Sequence, residues 1–250
     1  MTDLDRVVLY SALYGRYEHP KPLPADLGCR AVMFVDDDEI FDEAQAAGWE
    51  AWKVADPISP ADIARAQAID PAATAGMLRH KWWKTHPVEA GSMFGAKITL
   101  WVDASLLITA DRYAERCLEA LGDDDWCAVP HPSRDCVYEE ALFSATLARY
   151  HAGALAQQSA AYVAMGHPRH WGLFATGANV RRHTPPVVEV SHEWWKECTG
   201  RSHQDQVSLP VLFRMAQDIG LVDAGPLRWN ARMPWARWWG VYEHGRMEKV

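Results

Sequence analysis

The sequence has no CxxC pair, no run of about 20 apolar residues, no Gly/Ser-rich linker and no internal repeat. Each absence removes a class of protein. Five cysteines (Cys29, Cys117, Cys127, Cys136, Cys198) are odd in number and widely scattered, so spacing indicates neither a disulfide framework nor a structural zinc site. The acidic opening Met1–Arg6 passes directly into a strand, so no signal peptide is expected. A reducing cytoplasm fits these features, and no membrane span is expected. The net charge of -8 argues against bulk electrostatic grip on nucleic acid. The first strand runs into a turn without GxGxxG, which excludes a dinucleotide fingerprint. No Ser-His-Asp arrangement or spaced zinc-ligand set points to a hydrolase.

What the chain has in excess is tryptophan, thirteen in 250 residues. Indole faces pack in cores, and they also stack on sugar rings and nucleobases. With 49% apolar and 23% charged residues the composition is that of a globular α/β protein, and the missing linker favours one domain over residues 1–250.

Strands are predicted at Val7–Leu13, Arg30–Val35, Gly48–Val54, Ile98–Val102 and Trp126–Pro130. Two short strands around a glycine turn are expected within Trp171–His183. Helices are expected from Ser59-Pro60-Ala61-Asp62 onward, over Ala110–Leu121, Ala141–Tyr150, Ala154–Met165 and Ser191–Thr199, and from the polar run at Arg201–Leu209 to Ile219. The tail from Arg228 to His244 mixes tryptophan with arginine, which suits a lid or docking segment over residues 226–250.

Four places carry chemistry. Asp103 ends the apolar run Ile98–Val102, where α/β sheets hold their ligands; capping the next turn is its plain structural alternative. Asp36-Asp37-Asp38-Glu39 follows the second strand, either as a metal site or, more commonly, as the cap of the next helix. Arg79, Lys81 and Lys84 surround Trp82-Trp83, a solvated basic face or an anion site for a diphosphate. His131–Glu140 is the densest polar run, with Arg134 and the paired carboxylates Glu139 and Glu140 at a helix start.

Taken together and in order, several blocks resemble the glycosyltransferase-like family of plant mucilage-related proteins and their bacterial and viral relatives. They are Phe34-Val35-Asp36-Asp37, Trp101-Val102-Asp103-Ala104-Ser105, His131–Ala141, Arg182-His183-Thr184-Pro185, Trp194-Trp195-Lys196-Glu197 and Asp205-Gln206-Val207-Ser208. The resemblance spans residues 7 to 215. It implies an α/β fold of GT-A type, a Rossmann-like domain with a central, mostly parallel mixed sheet flanked by helices. The implied activity is glycosyl transfer from a nucleotide-sugar, such as a UDP-sugar, to a hydroxyl acceptor on a carbohydrate, a small molecule or a modified nucleic acid. It also implies an Asp-x-Asp motif that holds Mn²⁺ or Mg²⁺ on the diphosphate. Here Ser105 stands in place of the second carboxylate. Asp103 would then hold metal with help, for which His244 is the candidate. The incomplete motif also motivates the alternative of a nucleotide-sugar binder without catalysis.

Within that frame the expected donor-binding residues are Asp36, Lys81, Lys84, Asp103, Ser105, Arg134 and Gln206. Lysine and arginine would stabilise charge growing on the leaving diphosphate. A carboxylate would take the acceptor proton, with Asp205 preferred over Glu139 and Glu140.

Overall fold

The fold was built from a computed structural model, which describes residues 6–218, 225–234 and 238–241. Its first strand, β1 (Val7–Leu13), is buried along its whole length. Such near-continuous apolar runs form strands covered by helices on both sheet faces. The remaining elements follow as β2 (Arg30–Val35), α1 (Asp38–Ala46), β3 (Glu50–Lys53), α2 (Pro60–Ile69), α3 (Ala75–Thr85), α4 (Pro87–Ser92) and β4 (Ile98–Val102). Then come β5 (Leu106–Ile108), α5 (Tyr113–Leu121), β6 (Trp126–Pro130), α6 (Val137–Ser144), α7 (Ala152–Ala164) and β7 (Phe174–Arg182). The chain continues through α8 (Pro185–Gly200), α9 (Asp205–Asp218), β8 (Trp229–Asn230) and β9 (Trp239–Val241).

Seven strands make the central sheet, in the order β3-β2-β1-β4-β7-β6-β8. β1, β2, β3 and β4 are mutually parallel, and β7 runs antiparallel between β4 and β6. This is the expected mixed, mostly parallel sheet with flanking helices. Alternation of side chains divides its core in two. Leu9, Met33, Val35, Leu100 and Val102 face a layer closed by α1 and α5, which supply Ile40, Ala44, Ala114 and Cys117. Tyr10, Phe34 and Trp101 face the other side and pack with Trp83 of α3. The β1–β4 pair is also where strand order reverses: β2 and β3 lie to one side of β1, and β4 to the other. Open α/β sheets leave a crevice at that reversal, outside the strand ends.

Several boundaries differ from the sequence reading. Trp171–His183 holds one long strand, because Gly177 lies in a bulge of β7 instead of a reverse turn; the register with β6 shifts between Ala128 and Val129. α6 starts at Val137 and stops at Ser144, earlier at both ends than the helix expected over Ala141–Tyr150. α8 begins at Pro185, where a proline fits the first helical turn. The 38–46 helix forms because Asp37 caps it, accepting from the Glu39 and Ile40 amides at 2.9 and 3.2 Å. That is the capping outcome for the acidic cluster. In the tail, Trp229–Asn230 extends the sheet beside β6, and Trp239–Val241 pairs with β5. His244 lies outside the described residues. Among the described residues no helix is long and apolar enough to cross a membrane.

Two histidines make the fold acid-sensitive. Burial, with Arg214 nearby, lowers the His167 pKa to about 4; burial, with Arg181 and Lys97 nearby, does the same for His183. Both are bases with a depressed folded-state pKa, so the unfolded chain takes up these protons first as pH falls. Stability should therefore decline between the free-histidine pKa of about 6.5 and the folded value, with a slope of up to about 1.4 kcal/mol per pH unit for each residue. Urea midpoints measured from about pH 7 down to about pH 5, across the free-histidine value of about 6.5, check this. A midpoint that stays flat over that range would show that these rings are already charged in the native state.

Candidate functional site

At the sheet crevice the ends of β1 and β4 are bridged by one imidazole. His80, on α3, places Nδ1 2.9 Å from the Ala12 carbonyl and Nε2 3.3 Å from Asp103 Oδ1. Both ring nitrogens thus face acceptor oxygens. Lys81 and Lys84 lie one and four positions further along α3, so the three side chains share one face of the helix.

That face meets two carboxylates. Lys84 Nζ lies 2.7 Å from Asp103 Oδ1 and 2.8 Å from Asp205 Oδ2. Lys81 Nζ lies 2.7 Å from Asp205 Oδ1. The result is a chain of alternating charge, Asp103–Lys84–Asp205–Lys81, that joins α3, the end of β4 and the start of α9. The Trp101 indole donates to Asp103 Oδ1 at 2.7 Å, and its ring lies 5.7 Å from the Lys84 ammonium. Trp194 donates to the Asp205 carbonyl at 3.0 Å and so fixes the first turn of α9.

Exposure grades the members. Lys84 and Asp205 side chains are 1% and 3% exposed, Lys81 12%, and Asp103 25%. Burial opposes ionisation of Asp103, but Lys84, His80 and Lys81 outweigh it and hold the carboxyl well below the usual carboxylate range. Asp205 behaves alike, with burial overcome by Lys81 and Lys84. Burial also works against the Lys81 charge, which Asp205 and Asp103 sustain above the ordinary lysine value. Asp103 Oδ1 takes all three cationic or N–H donors. Oδ2 has no hydrogen-bond partner among the described residues and is the oxygen left for a ligand.

The backbone is shaped to hold this arrangement. Gly177 accepts the Asp103 amide at 2.7 Å, and a Cβ on Gly177 would lie 3.0 Å from Leu106 and 3.4 Å from Asp103 Oδ2. The β7 bulge therefore props the carboxylate. The carbonyl end of α3 is pinned by a buried strut: Arg181 donates to the Lys84 carbonyl at 2.5 Å and to the Tyr10 hydroxyl at 2.6 Å. Tyr10 in turn donates to the Trp83 carbonyl at 3.0 Å. Cationic groups satisfy the orphan carbonyls of a last helical turn well.

At its other end α3 rests on β1. A Cβ on Gly76 would stand 2.7 Å from the Tyr14 carbonyl oxygen, a backbone atom that cannot swing aside. Gly76→Ala should gain about 1 kcal/mol of helix propensity and lose about 1–3 kcal/mol to overpacking. The expected outcome is a lower melting temperature together with weaker ligand binding, because α3 must shift. A variant more stable than the parent, as at an ordinary helical glycine, would show that the contact relaxes freely.

The other expected site residues are placed as follows. Asp36 is exposed at the end of β2 and accepts from the Gly15 amide at 3.1 Å, beside the crevice. Ser105 is half-buried on the tight turn after Asp103, and Gln206 half-buried in the first turn of α9. Arg134 donates to Glu140 Oε2 at 2.6 Å and lies over the Phe143 ring at 4.1 Å. Glu140 is 3% exposed and also takes bonds from Gln204 at 3.2 Å and Ser144 at 3.3 Å. It is thus a tie between α6 and the start of α9. Glu139 is half-exposed, near His170, and no hydrogen bond or ion pair joins it to the Asp103–Asp205 chain.

The structure adds residues that sequence reading passed over. His80 is central, and its signal was the 80, 81, 84 spacing, visible once the segment is taken as a helix. Tyr17 brings its hydroxyl to 3.4 Å from His80 Nδ1 at the mouth of the site. Burial of that hydroxyl and the Asp103 charge push the phenol pKa far above its ordinary value. Tyr150 lines the Asp205 side, its phenol pushed by burial up to about 12.

The donor set around Asp103 does not fit a divalent cation. Mg²⁺ and Mn²⁺ want several oxygen ligands. Here Asp103 offers a single unshared oxygen, and its other oxygen is taken by an ammonium, an imidazole and an indole N–H.

Neither a protein-family model nor a curated protein matches the chain. Solved structures similar to it include the mannosyltransferase Ktr4p of S. cerevisiae, at 10% identity and TM-score 0.44, over 83% of this chain and 65% of that one. Mouse xyloside xylosyltransferase 1 aligns at 8% identity and TM-score 0.41, over 90% of this chain and 83% of its own. The bifunctional glycosyltransferase WbbM aligns at 13% identity and TM-score 0.37, over 82% of this chain and 36% of its own. The chain thus spans just under two thirds of the first of these proteins and about a third of the last.

Proposed function

We propose that this protein is a glycosyltransferase of GT-A type that takes a sugar from a nucleotide-sugar and passes it to a hydroxyl acceptor. The observation that carries the reading is the Asp103–Lys84–Asp205–Lys81 chain, set in the crevice where strand order reverses. A carboxylate with one free oxygen, fixed by three donors, is suited to hold a hydroxyl of the donor. An ammonium at the rim is suited to a diphosphate. Two of the blocks that resemble the glycosyltransferase-like family, Trp101–Ser105 and Asp205–Ser208, fall at the end of β4 and the start of α9.

In the reaction the bond from the sugar's anomeric carbon to the diphosphate breaks, and its electron pair stays on the diphosphate oxygen. The acceptor oxygen bonds to the same carbon, and its proton passes to the leaving diphosphate oxygen. Asp103 Oδ2 accepts a hydrogen bond from a donor hydroxyl and orients the sugar. Lys81, the more exposed lysine, faces the charge that grows on the leaving group. Lys84 is the buried hub that fixes both carboxylates. Asp205 acts as the counter-ion that sets the two lysines: with both oxygens on ammonium groups it is a poor proton acceptor. Asp36 is placed for the nucleoside. In this reading Lys81, and not a divalent cation at Asp103, faces the diphosphate.

Incubation with a panel of UDP-, GDP- and TDP-sugars, with Mn²⁺ and with a chelator, tests this by following donor hydrolysis. Turnover of at least one donor, insensitive to the chelator, is the expected result. Tight binding with no turnover over any acceptor would reassign the protein as a nucleotide-sugar binder, and no binding at all would end the reading.

A further inference from the structure

The run His131–Glu140 holds a second constellation that the crevice does not use. Cys136, Glu139 and His170 bring a thiol sulfur, a carboxylate oxygen and a ring nitrogen within 4.8 Å of one another. We propose that these three side chains form a zinc-type metal site, separate from the crevice, at the start of α6.

Local structure explains how the ligands meet. Cys136 caps α6, and Glu139 follows three residues later, so both project from one side of the first turn. Cys136 is 1% exposed and its sulfur makes no cap hydrogen bond. His170 comes from the connection between α7 and β7, which is tied to the same place by the Gly172 amide donating to the Asp135 carbonyl at 3.0 Å. The backbone of His170 is left-handed, with φ 56°, a conformation that residues other than glycine adopt at a cost.

The ring is also oriented from outside. His170 Nδ1 lies 2.7 Å from Asp135 Oδ1, while Nε2 lies 3.6 Å from Glu139 Oε1. A carboxylate on one imidazole nitrogen fixes the tautomer and leaves the lone pair of the other for a metal, the usual outer-shell arrangement of metal-bound histidine. Zn²⁺ bonds of about 2.0–2.3 Å to N, O and S place tetrahedral ligand atoms roughly 3.3–3.7 Å apart. The His170–Glu139 separation already has that value, and half-exposed Glu139 and His170 side chains can move onto a metal beside the buried sulfur.

The mixed set selects the ion. Thiolate, imidazole and carboxylate together suit Zn²⁺, whereas Mg²⁺ and Ca²⁺ want oxygen alone. On binding, Cys136 loses its S–H proton to solvent as the sulfur–metal bond forms, and water fills the fourth position. The consequence is mechanical: the metal clamps the 131–136 loop, with Arg134, to the 167–172 segment. Spacing did not reveal it, because His170 lies over thirty residues from Cys136 in the sequence. The plain alternative is an imidazolium shared by Asp135 and Glu139, with Cys136 as packing.

Cobalt separates the two. The full-length protein, stripped with chelator and titrated with Co²⁺, should develop a thiolate-to-cobalt charge-transfer band at one equivalent, and Zn²⁺ should bleach it. Cys136→Ser and His170→Ala should each abolish the band, with circular dichroism confirming the fold. Asp135→Asn should weaken Co²⁺ binding about 10–100-fold. His192→Ala should leave the band intact, since the separate grouping of His86, Glu89 and His192 contains no sulfur. If Cys136→Ser fails to fold, the half-exposed His170→Ala variant decides. Absence of a thiolate band at stoichiometric Co²⁺, or a band that survives His170→Ala, overturns the proposal.

Discussion

Lys84→Met is expected to destabilise the protein by about 3–5 kcal/mol, the range for breaking a buried ion pair by removing one partner. A surface salt bridge would cost only about 0–1 kcal/mol, so exposure decides between the two figures. With side chains 1% and 3% exposed, Lys84 and Asp205 belong to the buried class. Methionine keeps the volume and removes the charge, leaving Asp205 with Lys81 alone and Asp103 with His80 and the Trp101 indole. Urea unfolding measures the loss. The double variant Lys84→Met/Asp205→Asn should lose less than the sum of the two single variants, because the neutral amide no longer needs the ammonium. Additive losses would mean that the two groups do not sense each other, contrary to their 2.8 Å separation.

Asp103→Asn is the second large effect, and it falls on function more than on stability. Asparagine is isosteric, Lys84 keeps Asp205, and the side chain is already 25% exposed, so the fold should persist with a loss of about 1–3 kcal/mol. What disappears is a charged acceptor toward the donor. A hydrogen bond to a charged group contributes about 1.5–3 kcal/mol, so donor affinity should fall roughly 10–150-fold. Turnover should fall at least as far if the contact strengthens in the transition state. Steady-state kinetics with the best donor of the panel check this, with a melting curve to show that the variant is folded. A fully active variant would remove Asp103 from the site.

These two expectations show what the sequence could and could not convey. Asp103 was readable, because an apolar strand that ends on a carboxylate is a local pattern. So were β1, β2, β4 and β6, whose buried runs admit few alternatives. Its partners were not. Lys81 and Lys84 were visible as cations, but a basic stretch beside tryptophans reads equally well as a solvated face. Only the docking of α3 across the β1–β4 reversal turns residues 80, 81 and 84 inward. Asp205 was legible as a polar residue at a helix start, but not its two ammonium partners, which lie over 120 residues away. Those two ammonium partners are the reason the counter-ion role is proposed for it in place of proton acceptance. Gly177 misled because a glycine in an apolar stretch signals a turn as readily as a bulge, and the choice depends on β6 and β4 pairing on either side.

In the proposed reading Ser105 stands where the resemblance expects a second carboxylate, and Lys81 of α3 meets the donor's diphosphate in place of a metal. Calorimetric titration of nucleotide-sugars into the wild-type protein and the Asp103→Asn variant, both in excess chelator, tests that account most directly. The account predicts that a donor binds the wild type without metal and binds the variant roughly 10–150-fold more weakly. Binding that appears only when Mn²⁺ or Mg²⁺ is restored, or that is equal in the two proteins, would contradict it.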